Sequence, residues 1–216
     1  MAPAPSTIFL LSPANCAGKR ASMLLRAEAQ FELARALRSP QGVSIGATFA
    51  FMSGLYFRGK LSYAQRFSQP MAASSGALVI TPGRGLCPWW QVVTHADLLE
   101  LARVEVDAAN AAFVAPLCRD AEALARRTPA DSRIVLLGSI ATSKYVDPLL
   151  QIFGARLLFP SAFVGRGDMS RGGLMLRCAR EGQELEYEPV HGAVRHGKRP
   201  PRLPVLPRSV RAATER

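Results

Sequence analysis

The sequence predicts an α/β three-layer sandwich, a mainly parallel central sheet with helices on both faces, and three observations carry that expectation. Four short apolar runs each end in a turn signal, as strands buried on both faces do. Segments with helical spacing of apolar residues lie between them, so strands and helices alternate along the chain. Finally, 216 residues of which 49% are hydrophobic are enough to fill one sizeable core.

In chain order, the first strand is expected at Ile8 to Ser12, followed by a helix over Ala21 to Leu37, where Leu24, Ala27, Phe31 and Ala34 recur at 3-4-3 spacing. A second helix is expected over Arg58 to Phe67 and a second strand at Ala77 to Thr81. Helices over Asp97 to Val106 and Ala108 to Arg127 come next, the latter kinked at Pro116. A strand at Ile134 to Leu137, a helix over Ser143 to Phe153 and a strand at Leu157 to Phe159 complete the alternation. Leu174 to Cys178 and Leu185 to Glu188, joined by a turn around Glu181 to Gln183, read as a closing hairpin. Beyond Val190 the composition shifts to Pro, Arg and Gly. Residues 1–190 are therefore expected to form the domain and 191–216 a basic arm or tail.

The formal charge of +11 and a pI near 10.4 favour a polyanionic partner, with DNA foremost. Arg195 to Arg216 hold seven Lys or Arg and one acid, so the tail supplies +6 and the rest of the chain +5. Cys16, Cys87, Cys118 and Cys178 are far apart without a Cys-x-x-Cys spacing, so no metal site and no cofactor are expected. Met1 to Thr7 has no cationic region and Ile8 to Leu11 is too short for a signal peptide. No segment reaches the roughly 18 to 20 apolar residues that span a bilayer. Reduced thiols, a cytoplasmic setting and no membrane partner follow as expectations; oligomeric state is not specified.

Loops after parallel strands gather along one sheet edge, where α/β proteins bind ligands. The loop of residues 12–20 offers Ser12 and Asn15 to read a base edge, and Lys19 and Arg20 beside a helix start for phosphate. It departs from a P-loop, with Pro13 at the first glycine position and Arg20 after Lys19, so ATP hydrolysis is not expected. Ser12 and Asn15 acting only as helix caps is the plainer alternative. The loop of residues 82–90 brings Arg84 for a phosphate and Trp89 to stack on a base, against the commoner fate of a tryptophan in the core. Residues 138–144 offer Ser139 and Lys144. His95 is expected near a helix N-cap, and Cys16 beside Lys19 is a minor candidate nucleophile.

The fourth loop, Gly165 to Gly173, sets Asp168 between Arg166 and Arg171, with Ser170 alongside. Glycines admit an anion close to the backbone and arginines pair with phosphate, which leaves Asp168 for chemistry. A surface turn in which Asp168 merely pairs with Arg166 or Arg171 is the alternative.

Residues 8–20 (strand, Ser-Pro-Ala, Cys-x-Gly-Lys-Arg), 55–67 (Leu-Tyr-Phe-Arg-Gly-Lys-Leu-Ser-Tyr-Ala-Gln-Arg-Phe), 79–88 and 136–160 with the Gly-rich turn after it resemble, in order, the landmarks of the YaaA peroxide-stress protein family. The order is also similar to that of the glycosylase-like domain of archaeosine synthase. The resemblance spans about residues 8–178 and implies a uracil-DNA-glycosylase-like fold with a nucleic-acid or nucleobase role. The chain lacks Gly-Gln-Asp-Pro-Tyr-His and His-Pro-Ser-Pro, so no catalytic residue is carried over from that enzyme.

The leading expectation is a DNA N-glycosylase that flips a modified or damaged base into the strand-end cleft, in repair or anti-phage defence. Asp168 would stabilise the cationic sugar or orient water. Ser12, Asn15, Ser139 and Trp89 would contact the base, and Lys19, Arg20, Arg84, Lys144, Arg166, Ser170 and Arg171 the phosphates. A non-enzymatic DNA-binding stress protein and a nucleotide N-glycosidase or deoxyribosyltransferase are the rivals.

Overall fold

The computed structural model describes residues 6–69, 75–201 and 203. The chain runs β1 (Thr7–Leu11), α1 (Lys19–Leu25), α2 (Glu32–Arg38), β2 (Val43–Ser44), α3 (Ile45–Ser53), α4 (Leu55–Phe67), β3 (Ala77–Thr81) and β4 (Gly85–Pro88). It continues through β5 (Val92–Val93), α5 (His95–Ala102), α6 (Ala111–Arg127), β6 (Arg133–Leu137), α7 (Ser143–Phe153), β7 (Leu157–Pro160), α8 (Asp168–Glu181) and β8 (Tyr187–Pro189).

Six strands form one sheet in the order β4-β3-β1-β6-β7-β8. The inner four are parallel, Phe9 pairing with Ala77 on one side and Val135 on the other, while β4 and β8 are antiparallel edges. Because β1 and β6 are buried on both faces, their apolar residues are continuous rather than alternating. Phe9 and Leu11 belong to a core packed under α1 to α5 and α8, whereas Ile8 and Leu10 belong to one packed under α6 and α7. This is the expected α/β sandwich. The chain crosses from β1 to β3 on one side and reaches β6 and β7 on the other, so the carboxyl ends of β1 and β6 form the topological switch point.

Three local expectations are corrected. The helix foreseen over Ala21 to Leu37 is two helices: Phe31 leaves the helical path to stack on Phe51 at 5.4 Å, and Arg38 donates to the freed carbonyls of Arg26 and Ala29. The hairpin foreseen at Leu174 to Glu188 is instead helix α8 followed by β8, which pairs with β7. The glycine-rich segment thus begins a helix rather than forming a loop, because Gly172 and Met175 face the interior at helical spacing. A Cβ on Gly172 would meet the Leu55 carbonyl oxygen at 2.6 Å, and one on Gly59 would meet the Gly172 carbonyl oxygen at 2.5 Å. The two glycines let α4 and α8 cross backbone to backbone. Helix α3, unforeseen, is buried on most of its surface and so lacks the one-sided stripe that would mark it.

Pro116 lies within α6, as expected. Residues 191–201 carry no helix or strand, and positions 202 and 204–216 of the proposed tail lie outside the described residues. No helix of the described residues is long and apolar enough to cross a membrane.

Candidate functional site

The site is built where β1 and β6 end. Ser12 follows β1 and Gly138 follows β6, and a Cβ on Gly138 would lie 2.8 Å from the Ser12 Cβ and 3.1 Å from the Tyr145 hydroxyl. Only glycine allows these two strand ends and the first turn of α7 to come so close. Tyr145 donates to the Ser139 carbonyl at 3.3 Å, and burial raises its phenol pKa, partly offset by a hydrogen bond with Ser12.

Beneath Ser12 lies Lys60, on the apolar face of α4 and fully buried. Its Nζ donates to the Ser12 carbonyl at 2.7 Å and the Ser12 Oγ at 2.9 Å, and sits over the rings of Tyr56 (4.3 Å) and Phe57 (4.8 Å). Burial pulls the amine down to about 7, against the attraction of Asp168 and with the repulsion of Arg171. An unfolded chain would hold this proton up to about 10.5. In the window between, the unfolded state binds more protons, so stability rises with pH. Urea unfolding between about pH 7 and 8.5 is expected to show a gain on the order of 1–2 kcal/mol, absent in Lys60→Met. The comparison stops there because the raised thiol of Cys16 acts oppositely above its ordinary value of 9.0. Equal pH slopes in the two proteins would show that Lys60 is not the titrating group.

Arg171, nearly buried, donates from Nε (3.2 Å) and Nη2 (3.1 Å) to the Phe163 carbonyl. Its Nη1 faces Asp168 Oδ1 at 3.5 Å. Asp168, the first residue of α8, keeps a side chain 65% exposed at the mouth of the group. The charges of Asp168 and Arg171 reach Tyr56, Lys60 and Tyr145 and act on their ionisation. Tyr145 also lines an open cleft of about 630 Å³, shared with Asn15, Pro82, Arg103, Glu105 and Lys144. Tyr145 links the cleft to the Asp168 group: it lines the cleft, and the charges of Arg171 and Asp168 act on its phenol.

Among the residues expected from the sequence, the fold gathers Ser12, Asn15, Ser139, Lys144, Asp168 and Arg171 at this edge. Four of them have internal duties: Ser12 is held by Lys60, Asn15 Oδ1 accepts from the Ala17 amide at 3.0 Å, Ser139 Oγ accepts from the Ala141 amide at 3.3 Å, and Arg171 holds the Phe163 carbonyl. Lys19 and Arg20 open α1, where Arg20 donates to the Phe51 carbonyl at 3.2 Å. Arg166 donates to the Ala162 carbonyl (2.9 Å), Ser170 Oγ (3.2 Å) and the Pro201 carbonyl (3.4 Å), tying the arm to α8. Arg166, Arg177 and Arg199 line a groove of about 330 Å³ there.

Arg84 and Trp89 lie elsewhere in role or place. Arg84 is engaged by Asp97 at 2.6 Å and Glu100 at 2.5 Å, which fasten the β3–β4 turn to α5. Strand β4 runs antiparallel to β3, pairing Gly85 with Thr81 but Pro88 with Leu78, so it carries Trp89 and Trp90 back toward the opposite sheet edge. There Trp89 packs on the core and its carbonyl accepts from the Gly46 amide at 2.9 Å. Cys16 is not an activated nucleophile: burial pushes its thiol up to about 12. His95 opens α5 behind the Thr94–Asp97 capping box, as expected.

Lys60, Tyr56 and Tyr145 were missed as site residues. Their signal was present for α4, because Lys60 interrupts the helical stripe Tyr56, Phe57, Tyr63, Ala64 and Phe67. A lysine in such a stripe must be paired or functional. No protein-family model, curated protein or solved structure matches the chain.

Proposed function

We propose that the protein is a DNA N-glycosylase that takes a modified or damaged base into the cleft beside Tyr145 and breaks its bond to the sugar. The observation that carries this reading is the exposed Asp168 carboxylate, paired with the buried Arg171, at the same sheet edge as a ligand-sized cleft lined by Tyr145 near the β1–β6 switch point. Departure of a base leaves positive charge on the sugar, and one positioned carboxylate stabilises that charge or orients the attacking water.

The surroundings suit a polyanion. Lys144 and Asn15 border the cleft, and Arg166, Arg177 and Arg199 line a second groove along α8. With a net charge of +11, attraction to the phosphate backbone adds a salt-sensitive, sequence-independent affinity. A duplex base must leave the stack to enter the cleft, which favours damaged or weakly paired bases.

The reaction is tested by incubating the protein with DNA carrying a panel of modified bases and analysing the small-molecule fraction. Free base is the expected product. Nucleotides without free base would overturn the assignment.

A further inference from the structure

Helix α8 has 14 residues, and its N-cap, Gly167, contributes no side-chain cap, so the positive end of the helix is directed at the site. A helix end alone is not a site, but a second observation lies beside it. Among the buried side-chain nitrogen and oxygen atoms of the described residues, the Tyr56 hydroxyl alone has no hydrogen-bond partner. Tyr56 is itself 6% exposed, its Cα lies against Gly172, and both Arg171 and Asp168 act on its hydroxyl. Burial holds the phenol protonated, so the hydroxyl is a donor with nothing to donate to.

Around that donor the charge is cationic. Arg171 directs Nη1 toward the rim, Lys60 lies beneath the Tyr56 ring, and Asp168 is the one acid acting on these three groups. We propose that the start of α8 is a phosphate seat, in which the Tyr56 hydroxyl and Arg171 hold an anionic oxygen of the substrate above Lys60, with Asp168 at the rim. This rests on the reading of the site as one for nucleic acid, though not on which bond is broken. A seated phosphate would place the attached sugar beside Asp168.

The test is calorimetric titration of the full chain with inorganic phosphate and with thymidine 3′,5′-bisphosphate, in the unaltered protein, Tyr56→Phe and Asp168→Asn. Tyr56→Phe is expected to lose about tenfold or more in affinity, the scale of one hydrogen bond to a charged group. Its melting temperature should change little, because the hydroxyl proton has no acceptor in the fold. Asp168→Asn should bind several-fold tighter. Stronger binding of the bisphosphate than of phosphate identifies a nucleic-acid backbone as the source, and equal binding identifies free phosphate; both uphold the seat. Undiminished binding by Tyr56→Phe, or no binding of either probe at millimolar concentration, overturns it. Tyrosine-dependent phosphate binding without base release would retain the seat and remove the glycosylase; base release without phosphate binding would do the reverse.

Discussion

Asp168→Asn is expected to lower base release by at least about 10²–10³-fold while leaving DNA affinity equal or slightly higher, since removing one preorganised group that meets transition-state charge has that effect. The asparagine keeps the shape but cannot offset a cationic sugar. Affinity should not fall, because Asp168 is an acid in a basic region facing a polyanion. Nor should the fold suffer: the Arg171 contact is 3.5 Å long and Asp168 is mostly exposed, so loss of the pair and of an acid at a helix start costs roughly 1 kcal/mol or less. Single-turnover rates and melting curves on the same preparation separate the cases. Unchanged activity removes Asp168 from the chemistry, and an unfolded variant makes it a structural residue.

Gly172→Val should be the most damaging substitution for stability. Any Cβ there meets the Leu55 carbonyl oxygen at 2.6 Å and the Tyr56 Cα at 2.8 Å, both backbone atoms that no rotamer change can move. The helices must separate, at a cost of about 1–3 kcal/mol or more from overpacking. Activity should fall as well, because the crossing brings Tyr56 and Lys60 of α4 to Arg171 and Asp168 of α8. Gly173 is the matched control. It occupies the next position of the same helix, and its Cβ would meet only the end of the Leu203 side chain at 3.6 Å. Gly173→Ala should therefore stabilise by roughly 0.5–1 kcal/mol through helix propensity. Urea unfolding of both variants checks the pair, and changes of the same sign would contradict the close crossing.

The contrast between these glycines explains what the sequence conceals. The four parallel strands were legible because burial on both faces writes itself as unbroken apolar runs such as Phe9-Leu10-Leu11. Helix α7 was legible at both ends for the same reason of pattern. Helix α8 was not, because Gly165, Gly167, Gly172 and Gly173 look like loop residues, and only at Gly172 does a partner helix need the side chain to be absent. Likewise chain order alone places Trp89 at the ligand edge. The antiparallel return of β4, set by the turn at Gly83 with φ 76°, sends it the other way.

For the site, the loops after β1, β6 and β7 supplied Ser12, Ser139 and Asp168 directly, since topology places such loops at one edge. Lys60 and Tyr56 lie within helix α4, and no edge rule finds them. What unites them with Ser12 is the depth of α4 under β1, a tertiary fact. Arg84 illustrates the converse: a cation in a turn reads as a phosphate ligand until Asp97 and Glu100 are found beside it.

The central claim, that a bond between base and sugar is broken, is tested most directly on an end-labelled duplex with a single modified base, incubated in EDTA and divided before electrophoresis. Intact strands in the untreated half and a break at the modified position after hot alkali are the predicted result, because an abasic site is alkali-labile. Direct nicking that appears only with magnesium, without a released base, would contradict the account and assign the basic cleft to a nuclease.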